Sequence, residues 1–157
     1  MTSMGILGCD SALDTIVGAE TREAYLAAIN AERAHSHDCG EIHYDATTEL
    51  VWNDQLVAAA KRHSEDMAQN DFMSHDGSDG GTFELRIQDE GYTPYDKVGE
   101  NVAVGQESVA VVVAEWMESP GHCKNIMDPR FDEMGMALEK NSTGSWKRYW
   151  TLDLGGR

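Results

Sequence analysis

The order of the hydrophobic patterns constrains the fold of this 157-residue chain more than any other feature. Apolar residues first recur at the i, i+3, i+4 spacing of amphipathic helices, and β-prone runs come later in the chain. Helices followed by strands mixed with a further helix predict an α+β fold rather than a wound parallel sheet. The length is that of a single domain with a sizeable core.

Three long helices are predicted, and each is preceded by a side chain that can cap it: Thr21, Asn53 and Ser108. A short helix is expected from Thr82 through residue 87. The turn residues Ser119-Pro120-Gly121 predict the end of the third long helix. The other predicted elements are strands at residues 98–104, 133–138 and 149–154 and a polar loop at residues 35–49.

The charge of the chain excludes several classes of partner. Acidic residues number 28 against 12 basic ones, which gives a net charge of −16. Such a chain repels phosphate backbones and anionic lipid headgroups, so nucleic acid is not an expected partner. Divalent cations fit this charge better. No apolar run approaches the roughly 20 residues of a transmembrane helix, and we expect a monomer without a transmembrane segment.

Residues 1–20 are small and polar and predict a flexible leader before a domain at residues 21–157. Within the leader, Ile6-Leu7-Gly8-Cys9 resembles the lipidation site of a bacterial lipoprotein precursor. The preceding stretch has no Lys or Arg and is too short for the apolar region of a signal peptide. Lipidation of Cys9 and an accidental likeness therefore both remain open.

The other two cysteines, Cys39 and Cys123, also allow two interpretations. The chain has no CxxC pair, which argues against zinc-ribbon and thioredoxin-like sites. A disulfide between the two would need an oxidising compartment. The alternative is two free buried thiols.

Four motifs follow one another along the chain and contain the residues that could bind a ligand or take part in catalysis. They are Phe72-Met73-Ser74-His75-Asp76-Gly77, Thr82-Phe83-Glu84-Leu85-Arg86, Gly99-Glu100-Asn101-Val102-Ala103 and Ser119-Pro120-Gly121-His122-Cys123-Lys124-Asn125-Ile126-Met127. Shorter matches include Asn30-x-x-Arg33, Gly91-Tyr92, Trp116-Met117, Met134-Gly135 and Tyr149-Trp150-Thr151. The ordered set, over residues 21–156, resembles the superfamily of cysteine-rich secretory proteins, antigen 5 and pathogenesis-related 1 proteins. The likeness is to its small bacterial SCP-like form, related to the allergen V5/Tpx-1 proteins.

The resemblance implies an α-β-α sandwich in which a small, mainly antiparallel sheet lies between helical layers. It also implies a cleft lined by His75, Glu84, Glu100 and His122. The match is weaker for Glu84, because the stretch after the first His varies among relatives. An extracytoplasmic location follows from the resemblance, whether secreted, periplasmic or lipid-anchored at the cell surface.

Family members with a cysteine directly after the second cleft histidine tend to have another near the position of Cys39. The resemblance therefore favours a Cys39–Cys123 disulfide over the free thiols.

Two imidazoles and two carboxylates in one cleft could hold zinc or another divalent cation, with water completing the coordination shell. The first hypothesis is accordingly a secreted, non-enzymatic protein that binds a divalent metal and a small apolar ligand or a protein partner. The members of the superfamily are mostly described in such ligand-binding or effector roles.

Two alternatives stay open. A metal-dependent peptidase or amidase would use zinc-bound water, with Glu100 or Glu84 as general base. A serine hydrolase would use Ser74 or Ser119, although the chain has neither an HExxH helix nor a Gly-x-Ser-x-Gly elbow. In the second alternative the His/Glu set is a purely structural network, and surface loops such as residues 35–49 carry the function.

Overall fold

A computed structural model describes residues 20–157 of the chain. All but the last residue of the expected leader, and with it Cys9, lie outside the described residues. Between residues 20 and 157, no helix has both the length and the apolar character needed to cross a membrane.

Five helices and six strands make up the described part of the chain. The helices are α1 (Arg22–Arg33), α2 (Asp54–Asn70), α3 (Phe83–Asp89), α4 (Val109–Glu118) and α5 (Pro120–Met127). The strands are β1 (His37–Cys39), β2 (Ile42–Tyr44), β3 (Val51–Trp52), β4 (Lys97–Val104), β5 (Glu133–Lys140) and β6 (Arg148–Gly156). The predicted α+β class is confirmed.

Capping side chains begin four of the helices, and the three predicted caps are confirmed. The hydroxyl of Thr21 accepts a hydrogen bond from the backbone N–H of Ala24 at 3.2 Å, and the Asn53 side chain accepts from two backbone N–H groups at the start of α2. Thr82 and Ser108 act in the same way at α3 and α4. Each cap satisfies a backbone donor that has no partner within its own helix.

The main sheet has the strand order β3-β5-β6-β4. Strand β6 pairs antiparallel with both β4 and β5, and only the two-residue strand β3 pairs in parallel. The expectation of a small, mainly antiparallel sheet is therefore confirmed.

Side chains alternate between the two faces of β6, and each face packs against its own helical layer. Trp150, Leu152 and Leu154 join the larger core with residues of α1, α4 and α5. Tyr149, Thr151 and Asp153 alternate with them and point toward the side of α2 and α3. This α-β-α layering places polar residues of β4 and β6 on the α2 side, where the candidate site lies.

Helix α2 approaches the sheet most closely at Gly135 in β5. A Cβ atom added to Gly135 would lie 2.1 Å from the backbone nitrogen of Val57. Any larger residue would push α2 away from the sheet and would disturb every contact on that face.

One prediction at the level of elements was wrong, and one helix, α5, was not predicted. Residues 35–49, expected to form a loop, contain the antiparallel hairpin of β1 and β2, whose turn includes Gly40 at φ +67°. Strands of three residues are too short to show a period in the sequence. Pro120 does not only end α4; it begins α5, because proline fits the first position of a helix, where no backbone donor is needed.

A disulfide joins Cys39 in β1 to Cys123 in α5, as the resemblance implied. Both residues are buried, and the bond closes a loop with a sequence separation of 84. The hairpin is thereby attached to the helical layer that also contains α1 and α4.

We predict that reducing this disulfide lowers the free energy of unfolding by about 4–5 kcal/mol, because the open chain has more conformational entropy when unfolded. Urea unfolding with and without reductant measures the change. A Cys39→Ser/Cys123→Ser variant should show the same loss and no further response to reductant. An unchanged midpoint on reduction of the wild-type protein would contradict the prediction.

Candidate functional site

His75 lies in the loop between α2 and α3, and its imidazole is hydrogen-bonded to a buried carboxylate. Its Nδ1 is 2.8 Å from Oε1 of Glu100 in β4. Because an ionised carboxylate can only accept, Nδ1 carries the proton and Nε2 keeps a free lone pair. The hydrogen bond to Glu100 raises the pKa of His75 above its ordinary value, although partial burial opposes this. The His75 side chain is 51% exposed, so the ring is accessible to a ligand.

The second oxygen of Glu100 is bound by Arg86 of α3, whose Nη2 donates to Oε2 at 2.7 Å. The same Nη2 donates to the backbone carbonyl of His75 at 2.8 Å. Burial alone would raise the pKa of Glu100, but the hydrogen bond from His75 and the charge of Arg86 outweigh it and lower the pKa. Glu100 is therefore ionised, and both of its oxygens are occupied.

Asp153 of β6 lies directly opposite Glu100 in the sheet register and is fully buried. Neither of its carboxyl oxygens meets a donor among the described residues. The group that faces it across the strand pair is the Glu100 carboxylate, which is itself an acceptor. Burial first, and then the charge of Glu100, raise the pKa of Asp153 well above its ordinary value.

His63 of α2 is packed in the core. Its Nε2 donates to the backbone carbonyl of Ser74 at 2.7 Å, and so holds the loop just before His75. Burial lowers the pKa of His63, which keeps the imidazole neutral.

His122 lies on α5, and its backbone carbonyl accepts a hydrogen bond from the Asn101 side chain at 3.2 Å. Burial lowers the pKa of His122, and the charge of His75 lowers it further. Because Asn101 directly follows Glu100 in β4, its hydrogen bond places His122 near the pair of His75 and Glu100. His75 is exposed, and His122 is partly buried.

A groove with a volume of about 360 Å³ extends from His122 along β4 and α4. Its walls are mainly apolar. They include Met73, Val102, Val104 and Trp116. The site thus combines an imidazole edge with an adjoining apolar groove, a combination suited to small-ligand binding.

Glu84 lies half-buried on α3, and its side chain makes no hydrogen bond or ion pair to another described residue. Among residues 20–157, no three or more His, Cys, Asp or Glu side chains are grouped so as to hold a metal ion. The structure joins His75 to Glu100 and brings His122 near them, while a role for Glu84 stays a prediction.

Of the two candidate nucleophilic serines, Ser74 is placed differently from what a serine hydrolase needs. The hydroxyl of Ser74 accepts from the backbone N–H of Asp76 at 3.1 Å, and His63 contacts the carbonyl of Ser74 rather than its hydroxyl. Ser119 precedes α5 and lines the apolar groove.

Comparison with known proteins agrees with this fold and these motifs. The sequence profile of the cysteine-rich secretory protein (CAP) family matches residues 26–154. The chain belongs to the CAP family. Among curated proteins, the CAP domain is similar to two proteins of Bacillus subtilis. It is 30% identical to the uncharacterized protein YkwD over 108 residues, which are 69% of this chain and 40% of YkwD. It is 29% identical to the uncharacterized membrane protein YlbC over 91 residues, which are 58% of this chain and 26% of YlbC.

Solved structures show the same relationship. An extracellular protein of Bacillus anthracis that contains an SCP domain is 27% identical, with a TM-score of 0.61 over 71% of this chain and 35% of that one. An outer surface protein of Borrelia burgdorferi has a TM-score of 0.66 at 20% identity, over 89% of this chain and 97% of that one, and it supports the fold alone. The CAP domain spans less than half the length of the curated relatives it matches.

Sequence reasoning did not single out two residues of this site, Arg86 and Asp153. Arg86 stands in the motif with Glu84, one helical turn from the cap Thr82, and its role depends on where β4 lies. Asp153 had a weak signal: it is a charged residue within the β-prone run at residues 149–154. A charged residue inside a buried strand needs a partner.

We predict that His63 makes the stability of the CAP domain depend on pH below about 6.5. The folded protein keeps His63 neutral, whereas the unfolded chain binds a proton there as the pH falls, so the unfolded state binds more protons. The contribution of His63 to the free energy of unfolding is therefore full above about pH 6.5 and is lost as the pH falls below it.

Urea unfolding of the wild-type protein and of His63→Gln, from about pH 7.5 to about pH 5, measures this contribution. The difference in unfolding free energy between the two should shrink as the pH falls. Glu100, Arg86 and Asp66, which act electrostatically on His63, are present in both proteins. A difference that stays constant with pH would contradict the prediction.

Proposed function

We propose that this protein is an extracytoplasmic, non-enzymatic CAP module that binds a divalent cation of the zinc class through His75 and His122. The observation that carries the proposal is the hydrogen bond between Nδ1 of His75 and Glu100, which sets the tautomer of His75. Glu100 accepts from Nδ1, and the lone pair of Nε2 remains free on an accessible ring close to His122.

The extracytoplasmic location is supported by two independent features. A buried disulfide is typical of proteins that fold in an oxidising compartment. The relatives from Bacillus anthracis and Borrelia burgdorferi are an extracellular and an outer surface protein. The net charge of −16 suits a protein whose ligand is a cation.

The donor set fits a metal that keeps several water ligands. A histidine that donates its other ring N–H to a carboxylate is the usual arrangement of a metal-binding imidazole, because the carboxylate orients the ring and increases its basicity. His75 and His122 would hold the ion. A zinc ion bound there would supply a positive charge and a Lewis acid. Two protein ligands are fewer than the three of a typical catalytic zinc site.

The arrangement gives less support to a hydrolase. Glu100 is buried, and both of its oxygens are occupied by His75 and Arg86, so it is not free to take a proton from a water molecule. Ser74 lacks a histidine at its hydroxyl. A general base must lie within hydrogen-bonding reach of the proton it removes.

A purely structural network explains only part of the site. Glu100, Arg86 and His63 tie β4, α3 and α2 to the loop that precedes α3, and each of them is buried. The accessible edge of His75 and the neighbouring His122 contribute nothing to that network, and a ligand site accounts for their placement.

We predict that the wild-type protein binds one equivalent of zinc after removal of metals with a chelator and reloading. His75→Ala and His122→Ala should each weaken zinc binding by at least about tenfold, because each removes one of two protein ligands. Isothermal titration calorimetry and elemental mass spectrometry measure affinity and stoichiometry. His35→Ala, which changes an exposed histidine just after α1, is the control and should bind like the wild type.

If wild-type protein that is folded by circular dichroism takes up no zinc, the proposed function is wrong. Loss of binding in His35→Ala as well would also overturn it, since binding would then not be specific to the paired imidazoles.

The apolar groove beside His122 supports a second binding function, for a small apolar ligand. Met73 stands at the edge of this groove with 52% of its surface exposed, a large exposed apolar area for a surface residue. A ligand could fill the groove and reach His122 with a polar end.

We predict that the neutral apolar dye N-phenyl-1-naphthylamine binds in this groove and gains fluorescence. Met73→Asp should weaken the binding several-fold, because it places a charge at the groove edge. Leu85→Asp is a matched control: Leu85 is also 52% exposed, but it lies outside the groove. Equal losses in both variants, or none in either, would contradict a specific site.

A further inference from the structure

We propose that Asp153 is a positioning residue of this site: it carries a proton and donates it in a hydrogen bond to Glu100, which fixes Glu100 in the rotamer that orients His75. The inference rests on the proposed function in one respect, that the orientation of His75 matters for binding a cation. The hydrogen bond itself is independent of any ligand.

The surroundings of the Asp153 carboxyl group favour its neutral form. Asp153 is inaccessible to solvent, and neither oxygen meets an N–H or O–H donor among the described residues. An ionised carboxylate without any donor in a dry interior costs several kcal/mol, and the group takes up a proton instead. A neutral carboxyl group then has one hydrogen to donate.

The acceptor for the hydrogen of Asp153 is the Glu100 carboxylate. Glu100 is the register partner of Asp153 on the adjacent strand, so the two side chains lie side by side on the α2 face of the sheet. Glu100 already accepts from His75 and from the cationic Arg86, whereas Asp153 accepts from nothing. The shared proton therefore belongs on Asp153, and the negative charge belongs on Glu100.

The charges on the surrounding elements also favour a neutral Asp153. Helix α3 supplies Arg86, α2 supplies His63, which burial keeps neutral, and β5 has Gly135 opposite Asp153. With Asp153 neutral, the one buried cation of this group faces one buried anion. Two carboxylates would leave an uncompensated negative charge, which burial strongly disfavours.

The consequence reaches His75 through Glu100. Three donors, from His75, Arg86 and Asp153, hold the Glu100 carboxylate in one orientation. Without the hydrogen bond from Asp153, the Glu100 carboxylate is held less firmly. The hydrogen bond from His75 to Glu100, which selects the His75 tautomer, then weakens. Loss of such an outer partner typically lowers metal affinity about 10- to 100-fold.

Nitrogen-15 NMR of the imidazoles tests the inference without any metal. The wild-type protein should show His75 with its proton on Nδ1. Asp153→Asn keeps a donor toward Glu100 and should preserve this tautomer. Asp153→Leu has a similar shape without a donor and should shift His75 toward a mixture of tautomers. Thr151→Val, which removes a buried hydroxyl on the same face of β6, is the control for general damage and should leave His75 unchanged.

Carbon-13 NMR of the Asp153 carboxyl group provides a test in the wild-type protein alone, should Asp153→Leu fail to fold. The chemical shift should be that of a neutral acid and should not change from about pH 5 to about pH 8. A shift typical of an ionised carboxylate, or His75 unchanged in a folded Asp153→Leu protein, would overturn the proposal.

Zinc titration of the same variants separates this inference from the proposed function. We expect Asp153→Asn to bind zinc like the wild type and Asp153→Leu to bind it about tenfold more weakly. If the wild type binds no zinc but the NMR results hold, the proposed function fails and the role of Asp153 stands. If zinc binds equally to all the variants while the tautomer shifts, the link from Asp153 to binding is wrong.

Discussion

The buried carboxylate of Glu100 is the interaction on which the site and its surroundings depend. It lies in the interior of β4 and connects that strand to α3 through Arg86 and to the loop before α3 through His75. A buried ion pair of this kind is not a large net source of stability, since desolvation offsets most of the attraction. Removing one partner is nevertheless costly, about 3–5 kcal/mol, because the other charge is left uncompensated. The loop, the helix and the strand can therefore adopt this geometry only together.

The division of roles among the polar groups follows from how much water each one meets. Glu100, Arg86, Asp153 and His63 are buried, and the side-chain hydrogen bonds of Glu100, Arg86 and His63 are made within the protein. His75 and His122 lie at the boundary and keep ring edges that no residue between 20 and 157 uses. A binding site needs buried groups that are fixed and imidazoles that are accessible, because the buried groups limit how far the imidazoles can move.

Much of the fold could be predicted from the sequence, since the information was local. The caps Thr21, Asn53, Thr82 and Ser108 and the helical stripes behind them act within one or two turns. The β1–β2 hairpin and α5 could not be predicted in this way. The hairpin has strands of three residues, and it is attached to the domain by Cys123, which lies far away in the sequence.

The candidate site was predictable only in part, for a similar reason. The resemblance pointed to His75, Glu100 and His122, and the structure joins His75 to Glu100. The roles of Arg86 and Asp153 depend on the register of β4 with β6 and on the packing of α3, which no local pattern reveals. Glu84 is the opposite case. It lies in one of the motifs that carry the resemblance, but its side chain makes no contact among residues 20–157 that assigns it a role.

The disulfide between Cys39 and Cys123 has a consequence for the maturation of the protein. Cys123 directly follows His122, so the bond that attaches the hairpin to α5 also limits how far the second imidazole can move. Disulfides form and persist in oxidising compartments and are rare where glutathione and thioredoxin keep thiols reduced. A newly made chain would thus complete this face only after it leaves the cytoplasm. On the proposed function, the ion bound by the finished pair of histidines would therefore be one that is available outside the cell.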